Sequence, residues 1–456
     1  MISSGTIAAI STPEAAGGIG IVRISGPDAL AVANRIFRPV DGSSITDSKG
    51  YRAHFGMVAS DGRDIDEAVC LVFRAPHSYT GEDTAEINCH GGLYVTKAVL
   101  RAAYAAGARP AEPGEFTKRA FLNGKKDLAG SEAVMALIGA KGEKAACAAL
   151  NVLEGRLSAE INAVADSLTG VCAALSAWVD YPYDETEDTT VESMLAVFRS
   201  AKEKISRIIN RYDCGKVYTE GIDTVICGKP NVGKSTLMNL LSGCERSIVT
   251  EIAGTTRDVV EESVSLGGMV LRIADTAGIH EAGDIVEGIG VDLARKRMER
   301  AGLVLAVFDS SLPLDENDMS ILEACKGRDA IAVINKSDLE KRLDISIVEK
   351  YIPVTAEISA SNGTGADILE QKIAEMLCAD GFDPDNPCLA GERQRECCVQ
   401  ALNYIDDGIS ALECGVTFDA VTVCAECAVG SLLELTGKRA SDSVVERVFA
   451  DFCVGK

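Results

Sequence analysis

The sequence predicts a multidomain chain of α+β and α/β type, in which an α/β unit with a mainly parallel sheet is inserted into a helical domain. Three observations carry this. Short β-type runs mix with Gly and Pro turns over residues 1–117, which reads as a small N-terminal α/β domain. Apolar periodicity at helical spacing fills 118–216 and returns over 379–456. Between them, over 217–378, apolar strands alternate with helical segments, the pattern of a parallel sheet with helices on its faces. The two helical stretches flank the α/β unit, and one helical domain split by an insertion is the economical arrangement.

Each element has its own signal. IGIVRIS (19–25) and EAVCLVF (67–73) are the β-type runs of the first domain. AVMALI (133–138) and LTGVCAALSAWV (168–179) mark long helices, and Pro182 is the single proline between 121 and 216. It falls in the acidic interruption 180–188, which reads as a loop between helices. TVICG (224–228), VLRIAD (270–275), LVLAVFD (303–309) and AIAVINK (330–336) are the strands of the inserted unit, and FDPDNP (382–387) is the loop that closes it.

Composition narrows the class. At 456 residues, a prior of about 150 residues per domain gives about three domains. Hydrophobic residues at 47% exclude a disordered chain. The net charge of −23 argues against a surface that grips nucleic acid everywhere, while leaving local basic patches open. No run approaches the ~18 apolar residues of a membrane span, and MISSGTIAAI lacks the basic start of a signal peptide. The 16 cysteines form no framework and read as reduced thiols of a cytoplasmic protein.

GKPNVGKS (228–235) fits the G-x-x-x-x-G-K-[ST] phosphate loop between a strand and the apolar helix STLMNLL. Asn231, Val232 and Gly233 turn backbone amides toward phosphate, Lys234 reaches the β/γ phosphates, and Ser235, followed by Thr236, is placed for Mg²⁺. DTAG, with Asp275, Thr276, Ala277 and Gly278, ends a strand where a carboxylate senses Mg²⁺ and a glycine senses the γ-phosphate. NKSD supplies Asn335, Lys336 and Asp338, whose carboxylate can accept two hydrogen bonds from a guanine edge but not from adenine. Ser359, Ala360 and Ser361 close over the base. Four motifs in this order specify GTP. The position after DTAG, where many small GTPases carry a water-orienting Gln, is Ile279.

GGIGIVRISG (17–26), SYTGEDTAEINCHGG (78–92), PGEFTKRAFLNGKKDLAGSEA (113–133), IVTEIAGTTRD (248–258) and the terminal CVGK (453–456), together with the phosphate loop and DTAG, extend the pattern over the whole chain. In these motifs the sequence resembles the MnmE (TrmE) family of tRNA-modification GTPases, of the TrmE-Era-EngA-type superfamily. The resemblance implies an N-terminal tetrahydrofolate-binding domain, a discontinuous helical domain and an inserted Ras-like G domain. It implies K⁺ held by Asn231, Thr250, Ile252 and Thr255, with Glu251, Ala253 and Gly254 in the same nucleotide loop, and Thr256 joining Ser235 on Mg²⁺. It makes Glu287 the residue that orients the attacking water, and Cys453 a reactive thiol. Arg23, Glu86, Lys125 and Lys456 become contacts of 5,10-methylene- or 5-formyl-tetrahydrofolate, a role that brings the chain's end back to the first domain. The implied partners are a second copy of the chain, tRNA, and an MnmG (GidA)-type protein carrying FAD in a heterotetramer. His77 and His280 depart from the family's usual residues. A GTPase switch, for instance in ribosome assembly, would carry the same phosphate loop and NKSD, but has no use for the folate-type segment and CVGK.

Three further features read as structural. Cys424 and Cys427 lack a second pair at zinc spacing, GGIG (17–20) lacks the third glycine of a dinucleotide loop, and His90 reads as a turn or packing residue.

Overall fold

The computed structural model describes residues 5–180, 190–244, 262–273, 301–377, 382–450 and 452–456. It divides into two compact units, Met1–Met135 with Leu153–Ala201 and Glu396–Lys456, and Ala136–Val152 with Lys202–Arg395.

The first unit contains a seven-stranded sheet of β1 (Ile7–Ile10), β2 (Ile19–Ser25), β3 (Phe37–Pro39), β4 (Arg52–Ser60), β5 (Arg63–Phe73), β6 (Thr84–His90) and β7 (Arg109–Pro110), in the order β3-β4-β5-β6-β2-β1-β7. Every pairing is antiparallel except β1 with β7. β4 and β5 form a hairpin whose turn, Asp61–Gly62, has φ of 51° and 76°, the left-handed pair that matches strand twist. Helices α1 (Ala29–Ile36) and α2 (Leu93–Ala105) pack on the sheet around Ile24, Val32, Val58, Cys70, Ile87 and Val99. α3 (Glu115–Leu122) follows the last strand, and then the helical stretch begins with α4 (Leu128–Gly139), α5 (Glu143–Leu153), α6 (Arg156–Asp180) and α7 (Val191–Thr219).

The second unit holds a six-stranded sheet of β8 (Ile222–Cys227), β9 (Glu262–Leu266), β10 (Met269–Ile273), β11 (Leu303–Asp309), β12 (Ala330–Asn335) and β13 (Val354–Glu357), in the order β13-β12-β11-β8-β10-β9. All pairs are parallel but the β9–β10 hairpin. β11 and β12 are buried along their whole length, which is why they read as unbroken apolar runs. α8 (Lys234–Cys244), α9 (Glu316–Cys325), α10 (Ile345–Tyr351) and α11 (Ala366–Met376) belong to this unit, as do α5 up to Val152 and α7 from Lys202 on.

α12 (Glu392–Glu413), α13 (Phe418–Thr436) and α14 (Asp442–Ala450) return the chain to the first unit. Gly408 of α12 lets the helix approach Phe198, since a Cβ there would lie 2.3 Å from the ring. Val445, Phe449 and Phe452 pack with Leu128 and Phe121, so the C-terminal helix docks beside α3. Among the described residues no helix is long and apolar enough to cross a membrane.

Candidate functional site

The phosphate loop leaves β8 at Gly228 and enters α8 at Lys234. Its turn needs positive φ at Gly228 (153°), Asn231 (65°) and Gly233 (99°). A Cβ on Gly233 would fall 2.2 Å from the Asn335 side-chain nitrogen, so glycine is required where the two loops meet. Val232 is buried and pins the loop from below, whereas Asn231, Ser235 and Thr236 are exposed at the mouth. The Lys234 ammonium donates to the carbonyls of Gly228 and Lys229, at 2.8 Å each, and burial holds its pKa below the ordinary lysine value. This is a concave helix N-terminus with a cation waiting beside it, the chemistry a polyphosphate needs.

The NKSD segment is fastened to that loop. Asn335 ends β12, donates to the Val232 carbonyl at 2.8 Å and accepts from the Ala360 amide at 3.0 Å. Lys336 donates to the Asn231 carbonyl at 2.9 Å and to Asp309 at 2.5 Å. Burial alone would raise the Asp309 carboxyl, but the bonds from Lys336 and Ser311 hold it below the usual range. Asp338 is exposed and takes the Ser359 hydroxyl at 2.6 Å, with Ser361 a further 3.2 Å from Ser359. Asn335, Lys336, Asp338, Ser359, Ala360 and Ser361 thus come together around one rim. Thr250, Glu251, Ile252, Ala253, Gly254, Thr255, Thr256, Asp275, Thr276, Ala277, Gly278 and Glu287 lie outside the described residues, as does His280.

A second cluster lies in the first unit. Arg23 on β2 and Glu86 on β6 are directly opposite in the ladder and pair at 2.8 Å. The guanidinium lies 5.1 Å from the Tyr79 ring centre and 5.6 Å from that of Phe116. Its Nη1 is buried with no hydrogen-bond partner among the described residues, a donor that asks for an acceptor. The tail of the chain reaches this place: the Ser11 hydroxyl donates to the Gly455 carbonyl at 3.2 Å, and the Phe116 amide to that of Lys456 at 3.2 Å. Burial, with the Arg23 charge adding to it, lowers the Lys456 ammonium below its ordinary pKa. The Lys125 ammonium is exposed and lies 3.1 Å from the Pro76 carbonyl. Lys126 instead sits 5.9 Å from the Tyr79 ring centre, its pKa lowered by burial. Sequence reasoning misses Tyr79, Phe116 and Lys126; the aromatics inside the SYTGED and GEFT blocks and the second lysine of the KK pair are their signals. An unpartnered cationic donor, a half-buried lysine and two aromatic rings suit a flat, anionic ligand of folate type. Cys453 is exposed on the same tail. Cys424 and Cys427 belong to no metal-binding group among the described residues.

Residues 6–125 match the family model described as GTP-binding protein TrmE N-terminus, and residues 128–453 match that of the MnmE helical domain. The chain belongs to the MnmE family. A Bacillus velezensis relative, named tRNA modification GTPase MnmE, is 40% identical over 457 residues, covering 99% of this chain and 100% of the relative. One of the same name from Natranaerobius thermophilus is 41% identical over 461 residues, with 99% of each chain covered. Arg23, Glu86 and Lys125 fall inside the match to the N-terminal MnmE-family model, while Lys456 lies three residues beyond the helical-domain match. Membership makes the phosphate loop that of a GTP hydrolase family.

Proposed function

We propose that this chain is a K⁺-dependent GTPase that hydrolyses GTP when two G domains meet face to face, and that it drives modification of tRNA. In this reading, the chain and an MnmG (GidA)-type FAD protein form a heterotetramer. Together they add an aminomethyl or carboxymethylaminomethyl group at C5 of the wobble uridine, with tetrahydrofolate supplying the one-carbon unit. The observation that carries the reading is the double fastening of the phosphate loop to NKSD through Asn335 and Lys336, in a chain that also holds the Arg23–Glu86–Lys456 cluster.

The residues divide the work. Lys234 exchanges its carbonyl partners for phosphate oxygens, Asp338 accepts from the guanine edge, and Ser359 holds Asp338 in place. K⁺ at Asn231 and Mg²⁺ at Ser235, when bound, supply the positive charge that stabilises the transferring phosphoryl group. Glu287 orients the attacking water. Arg23 and Lys456 hold the anionic part of a folate, and Glu86 fixes the Arg23 guanidinium. Cytoplasmic residence accompanies this chemistry.

GTP turnover by the full chain in K⁺ against Na⁺ tests the first part, since indifference to the exchange would rule out the cation-dependent mechanism. Mass analysis of wobble uridines in tRNA from cells lacking the protein tests the second, and unchanged modification would remove it.

A further inference from the structure

We infer that Lys229, the first variable residue of the phosphate loop, is a positioning residue that clamps the loop to the N-terminus of α9 and so sets nucleotide affinity. The inference rests on the nucleotide reading of the loop. Lys229 Nζ lies 2.9 Å from Asp315 Oδ2 and 2.8 Å from Asp318 Oδ2. The lysine side chain is 13% exposed and that of Asp318 only 3%. Burial alone would lower the Lys229 ammonium, but the bonds to Asp318 and Asp315 hold it above its ordinary value, so the clamp is ionic.

Both carboxylates are set before the lysine meets them. Asp315 is the N-cap of α9: its side chain accepts from the Asp318 amide at 3.0 Å, and Asp318 accepts in return from the Asp315 amide at 3.2 Å. The anchor is therefore a rigid helix end, not two mobile side chains. The same Lys229 offers its main-chain carbonyl to the Lys234 ammonium at 2.8 Å, so what fixes Lys229 also fixes where Lys234 waits. Gly228, one residue earlier, has no room for a Cβ, which would meet the Val307 carbonyl at 2.6 Å.

The loop is thus held on both limbs. Its far limb hangs from Asn335 and Lys336 through the Val232 and Asn231 carbonyls, and its near limb from α9 through Lys229. A loop that binds phosphate with backbone amides gains affinity when those amides are already in place, because less ordering remains to be done on binding. A lysine beside a phosphate site could instead touch the phosphate itself. The two roles differ in sign: loosening Lys229 from Asp315 weakens binding if the residue positions the loop, and strengthens it if the freed ammonium reaches the nucleotide.

The test is titration of the full-length chain with GDP and GTP, alongside thermal melts and steady-state GTP turnover. Lys229→Met is expected to weaken both nucleotides by about tenfold, with GTP turnover at sub-saturating nucleotide falling in step. Lys229→Arg, which keeps the charge, is expected to restore affinity to within about threefold. Asp315→Asn keeps the N-cap and hence the fold, and is expected to weaken binding about threefold. Combined with Lys229→Met it should add nothing further, because the pair acts as one unit. Tighter or unchanged binding in Asp315→Asn overturns the inference, as does Lys229→Met with normal affinity. Lys234→Ala separates the layers: it should lose nucleotide binding whatever Lys229 does, and normal binding there would overturn the nucleotide reading and the inference with it.

Discussion

Lys336 donates from Nζ to the main-chain carbonyl of Asn231 at 2.9 Å, tying the NKSD segment to the phosphate loop. The same ammonium neutralises Asp309, whose side chain is only 3% exposed. Replacing Lys336 by Met removes both contacts and strands a buried carboxylate, a change that costs about 3 kcal/mol when one partner of a buried pair is lost. Urea denaturation should show that loss, and GDP and GTP affinities should fall together. The sign with pH follows. Asp309 is held below the usual carboxyl value in the folded chain, so its contribution is present above about pH 4 and fades as pH falls through the depressed value. In Lys336→Met that part of the acid sensitivity should vanish.

In the proposed reading, Asp338 selects the base. Its carboxylate only accepts hydrogen bonds, matching the N–H donors of guanine, while an amide both donates and accepts. Asp338→Asn should weaken GTP by about a hundredfold and favour a xanthine nucleotide, whose C2 oxygen can take a bond from the new amide. The mutant chain's turnover of xanthosine triphosphate against GTP measures this. An unchanged preference would mean that Asp338 does not face the base.

His90 closes β6 with its Nδ1 2.8 Å from an Asp66 oxygen, and its backbone amide donates to the other oxygen at 2.8 Å. The hydrogen bond and charge of Asp66 raise the imidazole above its ordinary pKa. Its stabilising effect is thus complete below the unfolded value of about 6.5 and is lost as pH rises through the folded value. NMR titration of the His90 ring should place its midpoint above 6.5, and Asp66→Asn should bring it down toward about 6.5.

The parts of this chain that are legible in sequence are those where one local rule acts alone. LVLAVFD (303–309) and AIAVIN (330–335) are buried on both faces, so their apolar runs map directly onto β11 and β12. The phosphate loop is legible because amide cradles need glycine at fixed spacing. β9 is hard to read from sequence, since ESVSL (262–266) carries two serines and is an edge strand; the Gly267–Gly268 turn, with φ of 58° and 79°, is its signal. For β4, an interior strand, the local signal is the Asp61–Gly62 turn of its hairpin. What local rules do not reach is the meeting of distant segments. The clamp on Lys229 comes from residues some 86 to 89 positions away, and Tyr79 meets Arg23, 5.1 Å from its ring centre, across another long stretch of sequence. Lys125 and Lys126 are adjacent in sequence, yet one bonds the Pro76 carbonyl and the other lies over the Tyr79 ring.

Gly455 gives the sharpest test of the chain's end. Its φ is 97°, a conformation that side chains resist, and a Cβ there would meet the Ile10 carbonyl at 2.1 Å. Ala at this position must therefore lift the tail from β1, breaking the Ser11 bond to the Gly455 carbonyl and carrying Lys456 away from Arg23 and Glu86. The core that holds α14, built from Leu128, Val445, Phe449 and Phe452, lies upstream and stays packed. Gly455→Ala should thus leave thermal stability and basal GTP turnover close to the parent's. Its affinity for 5-formyl-tetrahydrofolate, measured by calorimetric titration, should fall as far as in Lys456→Ala, by about tenfold for a lost charged contact. Folate binding that is intact in Gly455→Ala but lost in Arg23→Ala would confine the ligand to the sheet and take Lys456 out of the site. Loss in both variants, with GTP turnover preserved, would mean that the tail's docked position is itself part of the folate pocket.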